Sequence, residues 1–544
     1  MSYIEKVKIT NYKCFKEFSF ELKKGMNIIV GNNESGKSTI LEAIHLALSG
    51  LLNGKYLKNE LSQYIFNKET EKNYLSSLKE GTPQPPPTIS IEVFFDNNDF
   101  PEFEGNGSSD KEACGFLLKI DFNDEYNEDY EELIKTKKVA TIPIEYYKIT
   151  WISFARENIS IKSIPIKSVL IDSASTRFQN GSDVYISKII KDDLTVKESV
   201  ELSQAYRKTK ESFMEEESIK MINEKVTKNA GFSTKKIEIS IDLSPKNSWE
   251  NALMTYFDDI PFHQIGKGEQ CLIKTNLALA HEKTKGSNLI LMEEPENHLS
   301  HTKLNQFIKN IEDKLKDKQI IITTHSNFIA NKLGLKNLIL LNDKKAVAFA
   351  SLEKETKETK ETYEYFKKLP GYDTLRMILC KKAILVEGRS DELIIQRAFM
   401  DKNEGMLPIE KEIDVISVEG LAFERFLYIA KMIKKSVAVV TDNDKNYNKK
   451  IEDKYTKYKQ YPSIEIFADE RNEFHTLELQ IADANKENLK LLCDVLKIDS
   501  NKQTEESIAD YMKRNKTKCA LNIFDAKEKI LYPEYISKAI DWCK

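Results

Sequence analysis

Residues 31–38, GNNESGKS, have the composition of a loop that binds phosphate groups. Two glycines at this spacing let backbone N–H groups turn toward phosphate oxygens. Lys37 can neutralise the β- and γ-phosphates of a nucleotide, and Ser38 can hold Mg²⁺. The segment therefore predicts a site for ATP, but it does not say what the nucleotide is for. The candidate nucleotide-binding residues here are Gly31, Asn33, Gly36, Lys37, Ser38 and Thr39.

Two acidic residues and a histidine further along the chain are suited to hydrolysing that nucleotide. The apolar run in NLILMEEPENHLS leads into Glu293, at the position of a metal-holding acid, and Glu294, at that of a water-polarising base. The next strand, in QIIITTHSNF, is expected to end in His325, at the position of a histidine that senses the γ-phosphate. A lone histidine is usually structural, but the order of loop, acids and histidine favours the functional interpretation.

A fourth candidate element is QIGKGEQCLIKTNLAL, in which Gly266, Gly268 and Gln270 precede an apolar helix. It resembles the signature motif of ATP-binding-cassette (ABC) ATPases, which closes over ATP from a partner subunit. The usual Ser-Gly-Gly core is replaced by Gly-Lys-Gly, so an ordinary helix-starting turn is the alternative. If the motif is a signature, Gly268 contacts nucleotide, two ATPase domains face each other, and the chain forms a homodimer or a higher homo-oligomer.

A second group of acids lies in the C-terminal part. The segment KKAILVEGRSDELIIQRAF predicts a strand, a turn at Glu387 and a helix carrying Asp391, and the later strand SVAVVTDNDKN ends in Asp442 and Asp444. Carboxylates at neighbouring strand ends converge on divalent metals that clamp a phosphodiester, so we expect Mg²⁺ or Mn²⁺ there. The alternative is that these are ordinary solvated acids.

Two further residues are candidates for the same chemistry. Glu478, in HTLELQ, is either an additional metal ligand or an ordinary surface residue. Lys516 can stabilise charge on the cleaved phosphate. With Lys513, Arg514 and Lys518 beside it, Lys516 can equally belong to a solvated face or to one that binds the DNA backbone.

The elements that must position these residues alternate between strands and helices. The strands YIEKVKITNY, FKEFSFEL and MNIIVG precede the phosphate loop, and the helix ILEAIHLAL follows it. A charged, helix-favouring stretch with a stop at Gly231 predicts an inserted helical arm for dimerisation. We expect an ABC-type ATPase over 1–190 and 233–352, the arm over 191–232, a linker over 353–377, and the metal-binding domain over 378–544.

Composition limits the partners. The 544 residues are 40% hydrophobic and 31% charged, which suits a chain that folds without a membrane. The net charge of -4 is no general sign of nucleic-acid binding, so any DNA contact needs a local basic face. Without a long apolar run or a signal peptide, a cytoplasmic location is expected. Seven well-separated cysteines suggest neither a zinc site nor a disulfide framework.

A strand-ending glutamate followed by a strand-ending DxD resembles the TOPRIM fold. With the ATPase motifs before it, the chain resembles the overcoming-lysogenization-defect (OLD) family of nucleases, which includes the nuclease subunit of the Gabija anti-phage system. Two departures, Glu293 in place of aspartate and the degenerate signature, bear on the rate of ATP hydrolysis more than on binding. The resemblance assigns nucleotide binding to Gly36, Lys37 and Ser38, hydrolysis to Glu293, Glu294 and His325, metal binding to Glu387, Asp391, Asp442, Asp444 and Glu478, and a transition-state cation to Lys516.

The resemblance implies an α/β, ATP-regulated, metal-dependent DNA endonuclease that acts against phage on double-stranded DNA, with a helicase-like or other defence-system partner. ATP would control access of DNA to the metal site through dimer state or domain angle. The main rival is a repair or recombination clamp ATPase without nuclease activity. A topoisomerase needs a DNA-cleaving tyrosine domain and a primase usually a zinc module, and neither is apparent. A transporter ATPase has no place for the C-terminal acids.

Overall fold

The computed structural model describes residues 2–96, 100–107, 112–136, 139–172, 178–179, 182–183, 194–229, 254–280, 288–314, 317–352, 356–420, 422–499 and 504–544. Gly231, the predicted end of the arm, lies outside the described residues, as do 191–193 and 353–355. The chain divides into two compact units. The first comprises Met1–Ile29, Glu34–Thr324 and Asp343–Ala346, and the second comprises Val30–Asn33, His325–Asn342 and Val347–Lys544.

The part of the chain before His325 alternates strands and helices. Its strands are β1 Ile4–Tyr12, β2 Phe15–Glu21, β3 Met26–Gly31, β4 Leu51–Leu52, β5 Lys55–Tyr56, β6 Ile89–Phe95, β7 Glu104–Asn106, β8 Glu112–Phe122, β9 Tyr147–Ser153, β10 Ser168–Asp172, β11 Phe178–Gln179, β12 Ser182–Asp183, β13 Tyr256–Phe257, β14 Ile260–Pro261, β15 Leu289–Glu293 and β16 Gln319–Thr323. Its helices are α1 Lys37–Ser49, α2 Leu57–Glu60, α3 Lys68–Glu80, α4 Asn127–Lys135, α5 Val196–Glu215, α6 Glu217–Asn229, α7 Lys267–Ala280 and α8 His301–Lys314.

An antiparallel sheet and a parallel sheet form the first unit. The antiparallel strands follow the order β2-β1-β6-β8-β7, with β9 paired to β8. The parallel strands β10, β15, β16 and β3 are neighbours in that order. The middle residues of β15 and β16 are fully or almost fully buried, because a parallel sheet is covered on both faces. The strands expected around the phosphate loop are thus confirmed.

Two consecutive helices, α5 and α6, occupy the described part of the predicted arm. Thr195 caps α5: its hydroxyl accepts the N–H of Glu198, and the Glu198 carboxylate accepts the N–H of Thr195. Several apolar side chains on these helices are exposed, among them Phe213 and Met221. A role of this arm in dimerisation stays a prediction.

The part of the chain from His325 onward holds the remaining elements. Its strands are β17 Leu338–Asn342, β18 Lys345–Ala348, β19 Lys382–Val386, β20 Ile413–Ser417, β21 Ser436–Val440 and β22 Ile464–Phe467. Its helices are α9 Asn327–Lys332, α10 Phe349–Leu352, α11 Lys357–Lys368, α12 Thr374–Leu379, α13 Arg389–Lys402, α14 Phe423–Ile433, α15 Leu477–Ala484, α16 Leu489–Leu496, α17 Glu505–Arg514, α18 Lys516–Asp525 and α19 Glu534–Cys543.

A four-stranded parallel sheet with the order β20-β19-β21-β22 organises the second unit. Its strands are largely apolar and buried, and helices α13 and α15 to α19 pack with them in one core. Because the strands are parallel, β19 and β21 end side by side, with Leu385 opposite Val439. The residues that directly follow these two strands include Glu387 and Asp442, so this topology brings the two acids to one edge of the sheet.

The segment expected to be a linker, 353–377, contains helix α11 and the first four residues of α12. Buried Phe366 on α11 packs edge-to-face against Phe426 on α14, with ring centroids 5.2 Å apart. The Thr359 hydroxyl also lies 2.5 Å from the Tyr428 hydroxyl on α14. The charge-rich sequence conceals these contacts because only four residues of α11 are buried, on one helical face, and two of them are threonines. None of the described helices is long and apolar enough to cross a membrane.

Candidate functional site

The predicted nucleotide-binding residues follow neighbouring strands of the parallel sheet. Thr323, the last residue of β16, lies opposite both Glu293 at the end of β15 and Ile29 on β3. The Glu294 N–H donates to the Thr323 carbonyl oxygen over 3.0 Å. The strand ends that carry the acids and lead into the phosphate loop therefore lie side by side, which is the usual place for a ligand in such sheets.

Gly36 allows the phosphate loop to enter helix α1. Its φ angle is +100°, in the left-handed region that side chains rarely adopt. A Cβ atom at this position would also lie 2.5 Å from Cζ of Phe15 and 2.8 Å from Sγ of Cys14. Both the backbone angle and the close packing therefore require glycine at this point of the loop.

Lys37 is the charged group at the start of α1, and its residue is 6% exposed. Burial lowers the pKa of Lys37, and the opposing influence of Glu294, Glu293 and Glu296 shows that three carboxylates lie close to it. The Asn297 amide donates to Oε2 of Glu294 over 3.1 Å. The Lys37 ammonium group at this helix start is placed to contact nucleotide phosphates. The nearby acids are placed to face a metal ion bound to those phosphates.

Glu296 and Thr324 were not predicted as site residues. The Thr324 hydroxyl donates to Oε1 of Glu296 over 2.5 Å, which ties the loop after β15 to the end of β16. Their positions after apolar strands, in EEPE and TTH, are the signal that could have identified them. Through this bond Glu296 positions the segment that carries Glu294.

Gly268 lies in the first turn of α7, against the loop that follows the acids. A Cβ atom at Gly268 would be 2.3 Å from the His298 carbonyl oxygen, so only glycine permits this approach. The Cys271 thiol lies 3.7 Å from the Pro295 carbonyl oxygen and continues the contact. Within one chain, the predicted signature therefore packs against the acid loop.

The other predicted nucleotide residues differ in exposure. His325 directly follows Thr324, beyond the end of β16, and its side chain is exposed. Asn33 and Ser38 are also exposed, whereas Thr39 is half-buried and Gly31 is buried. The exposed residues of the loop are accessible to a ligand.

In the second unit, Glu387 is linked to the end of the neighbouring strand. The Thr441 hydroxyl donates to Oε1 of Glu387 over 2.7 Å, and the Asp442 N–H donates to the same oxygen over 3.3 Å. Asp391, in the first turn of α13, accepts the Gly388 N–H over 3.0 Å. These bonds hold the carboxylates at the carboxyl ends of β19 and β21.

The acids are close enough to influence each other. Burial, together with the nearby Glu387, Asp391 and Glu478, raises the pKa of Asp442 to about 8, although Lys516 opposes this shift. Burial and Glu387 likewise raise the pKa of Asp391 to about 6. Such shifts indicate crowded negative charge, which a bound cation would relieve.

Glu478 and Lys516 complete this group, hereafter the acid cluster: Glu387, Asp391, Asp442, Glu478 and Lys516. Nζ of Lys516 lies 3.1 Å from Oε1 of Glu478. Burial opposes the protonated lysine, but Glu478 and the aspartates raise the pKa of Lys516. Oε2 of Glu478 is buried without a hydrogen-bond partner among the described residues. An unsatisfied carboxylate oxygen of this kind is a suitable ligand for a divalent metal.

Asp444 is set apart from the acid cluster. Its side chain is 55% exposed and forms an ion pair with Lys450 at 3.1 Å. Within the ranges that the structure describes, no three Asp, Glu, His or Cys side chains are arranged closely enough to hold a metal ion as they stand. Assigning Glu387, Asp391, Asp442, Asp444 and Glu478 as metal ligands therefore stays a proposal.

Asn443 is a supporting residue that the sequence did not reveal. It is 0% exposed, and its amide donates to the carbonyl oxygens of Asp469 at 2.7 Å and Arg471 at 2.9 Å. The side chain between the two aspartates thus fixes the loop after β22. The alternation of acid, amide and acid in DND was the only available signal.

The fold and the two groups of residues define an α/β protein with an ABC-type ATPase part followed by a TOPRIM domain. Residues 3–330 match the AAA_15 family, described as an AAA ATPase domain, and the chain belongs to this family. Residues 378–444 match the TOPRIM domain described as overcoming lysogenization defect protein-like. This combination matches an OLD-family ATPase–TOPRIM protein, as expected, while similarity to the Gabija subunit stays a prediction.

The curated relatives match only short stretches. Structural maintenance of chromosomes protein 6 of Saccharomyces cerevisiae is 27% identical over 150 residues, which are 27% of this chain and 12% of that protein. DNA replication and repair protein RecF of Clostridium kluyveri is 31% identical over 93 residues, 14% of this chain and 26% of RecF. The chain thus spans well under half the length of these relatives.

Solved structures of chromosome and repair ATPases are also similar. An Smc head bound to the C-winged helix domain of ScpA is 17% identical, with 63% of this chain and 97% of that chain covered and a TM-score of 0.33. RecF bound to ATP is 13% identical, with 64% of this chain and 99% of that chain covered and a TM-score of 0.33.

Proposed function

We propose that this chain is an ATP-regulated, metal-dependent DNA endonuclease. The observation that supports it most directly is the acid cluster at the carboxyl ends of two neighbouring strands, with shared negative charge and one lysine. An ATPase family match in the same chain adds a nucleotide site that can regulate it. A pure clamp has no use for this group of buried carboxylates.

The residues of the acid cluster have separate roles in this proposal. Glu387, Asp391, Asp442 and the free oxygen of Glu478 hold Mg²⁺ or Mn²⁺, with Asp444 as a further ligand once it leaves Lys450. A divalent cation there supplies charge neutralisation on the phosphodiester and activation of a water molecule. Lys516 places its positive charge at the same acids and stabilises the developing charge on the cleaved phosphate.

The ATPase part regulates cleavage through self-association. Lys37 and Ser38 bind the phosphates and Mg²⁺, Glu293 and Glu294 serve hydrolysis, and His325 senses the γ-phosphate. The exposed apolar residues of α5 and α6 support a homodimer or higher oligomer that forms through this arm. Light scattering with and without ATP tests this part; a monomer under both conditions contradicts it.

One experiment tests class, metal and regulation together. Purified protein is incubated with supercoiled and linear double-stranded DNA, with Mg²⁺, Mn²⁺ or EDTA, and with or without ATP. We expect nicking or cutting with either metal, none with EDTA, and a change in rate with ATP. DNA retention without any cleavage would favour the second candidate, a repair or recombination clamp, which similarity to RecF in the ATPase part supports.

The biological role that we propose is defence against phage, together with a helicase-like or other defence-system partner. The OLD-like match of the TOPRIM domain supports this role. Expression in a phage-sensitive host, alone and with neighbouring genes, followed by plaque counting, tests it. Equal plaque numbers with active protein and empty vector would contradict the proposal.

A further inference from the structure

The segment Lys445–Lys459 is strongly basic and directly follows Asp442 and Asp444 along the chain. It contains six lysines and only two acidic residues. The side chains of Ile451, Tyr455 and Tyr458 are buried, whereas most of the lysines are exposed. The apolar residues therefore attach the segment to the second unit and leave a positively charged surface facing solvent.

Hydrogen bonds fix this segment in place. The Lys449 N–H donates to Oδ1 of Asn446 over 3.0 Å, at the start of a π-helical turn over Asn448–Asp453. The Tyr447 N–H donates to Oδ1 of Asn472 over 2.9 Å, and the Tyr458 hydroxyl donates to the Glu424 carbonyl oxygen over 3.1 Å. A fixed backbone lowers the entropy that its side chains lose on binding a ligand.

The lysines of the segment differ in their partners. Lys457 pairs with Glu358 at 2.9 Å and with Glu424 at 3.1 Å, and Lys459 pairs with Glu452. Lys445 and Lys449 are exposed and form no ion pair with any residue that the structure describes. Two of the positive charges are thus neutralised within the protein, and two are available to an external anion.

Lys450 connects this surface to the candidate metal ligands. Its amino group lies 3.1 Å from Asp444, and the two side chains are 47% and 55% exposed. Ion pairs between such exposed groups are weak because water screens them, so a phosphate group can replace the carboxylate. An anion bound by Lys450 would therefore lie beside residues that we place at the metal site.

We propose that Lys445, Lys449 and Lys450 bind the phosphate backbone of DNA and direct it toward the acid cluster. This inference rests on the proposed function, because it assumes that the acid cluster cuts DNA. Duplex DNA carries one negative charge about every 1.7 Å along its axis, which complements a group of exposed lysines on one short segment. With Lys450 on a phosphate, Asp444 would lose its ion-pair partner and would be available to a metal ion.

The test measures binding without cleavage. A short fluorescent duplex is titrated in EDTA at several salt concentrations with the wild type, with Lys445→Gln/Lys449→Gln, and with the charge-matched control Lys457→Gln/Lys459→Gln. For the first variant we expect roughly tenfold weaker binding and a salt slope, log Kd against log salt, that is smaller by about 2. The control variant should lose much less DNA affinity, and Lys445→Arg/Lys449→Arg should bind DNA like the wild type.

Two results would contradict the proposed DNA-binding surface. One is an unchanged Kd and salt slope in Lys445→Gln/Lys449→Gln, and the other is an equal loss of DNA affinity in the control variant. Nicking of supercoiled DNA by the wild type in Mg²⁺ is measured on the same preparations. If the wild type binds and nicks DNA and Lys445→Gln/Lys449→Gln does the same, only the proposed DNA-binding surface is contradicted. Absence of both binding and nicking in the wild type contradicts the proposed function as well.

Discussion

Lys37 is buried at the start of α1 close to three carboxylates. We expect Lys37→Ala to weaken ATP binding by roughly 10- to 100-fold, because a charge-assisted contact to the phosphates is lost. Binding of a fluorescent ATP analogue measures the effect. Lys72→Ala, at an exposed position of α3, is the control. If the Lys37 variant binds ATP with wild-type affinity, the phosphate-loop assignment is wrong.

Because Asp442 titrates, the folding stability of the metal-free protein should depend on pH. Burial and neighbouring acids raise the pKa of its folded form to about 8, above its ordinary value of 3.8. Between these values the folded form binds more protons than the unfolded form, so stability falls as pH rises. In EDTA we expect the melting temperature to be lower at pH 8 than at pH 6.

Asp442→Asn removes this titration, so its melting temperature should fall less between pH 6 and pH 8. Asp494→Asn, at an exposed position of α16, should behave like the wild type. The comparison is a thermal unfolding series of the three proteins in EDTA. Identical pH dependence in the wild type and the Asp442 variant would remove Asp442 from the crowded acid cluster.

At the level of secondary structure, the contact between α7 and the loop after Glu294 gives two nearby glycines, Gly266 and Gly268, different surroundings. A Cβ at Gly268 would lie 2.3 Å from the His298 carbonyl oxygen, whereas a Cβ at Gly266 meets nothing within 4 Å. We expect Gly268→Ala to destabilise the protein by about 1–3 kcal/mol and to reduce ATP hydrolysis, because the clash displaces the loop after Glu294. Gly266→Ala should change neither quantity.

Thermal unfolding and ATP turnover of the two variants provide the measurement. Equal behaviour of Gly266→Ala and Gly268→Ala would show that α7 does not need this close approach. Loss of hydrolysis in both variants would instead favour a signature whose glycines contact the nucleotide.

The strands next to the candidate sites were predictable from the sequence. Runs such as LILM and III are apolar and β-branched or leucine-rich, and they predict buried parallel strands β15 and β16. The packing of α11 was not predictable, because its charged sequence resembles a solvated linker and its few buried residues depend on α14. The end of the next strand was also not predicted correctly: it was expected at His325, whereas β16 ends at Thr323.

For the whole molecule, motif order predicted an ATPase followed by a TOPRIM domain, and the two family matches confirm it. Contacts between distant residues were harder to predict. Glu478 and Lys516 form an ion pair across 38 positions of sequence, and neither local pattern predicts the other. Asp444 pairs with Lys450, and both Asp444 and Lys445 have left-handed backbone angles, neither of which the DND pattern predicts.

We propose that the TOPRIM domain cuts DNA with a metal ion while the ATPase part binds and hydrolyses ATP. Asp442→Asn replaces a charged oxygen ligand with a neutral one, so a hard cation loses both charge and geometry. Nicking, ATP turnover and DNA retention are measured on one preparation of this variant. We expect nicking to collapse, while ATP turnover persists and DNA retention is equal or stronger, because removing an acid lowers repulsion of phosphate. Wild-type nicking by the variant would contradict the account, as would joint loss of nicking and ATP turnover in a folded protein.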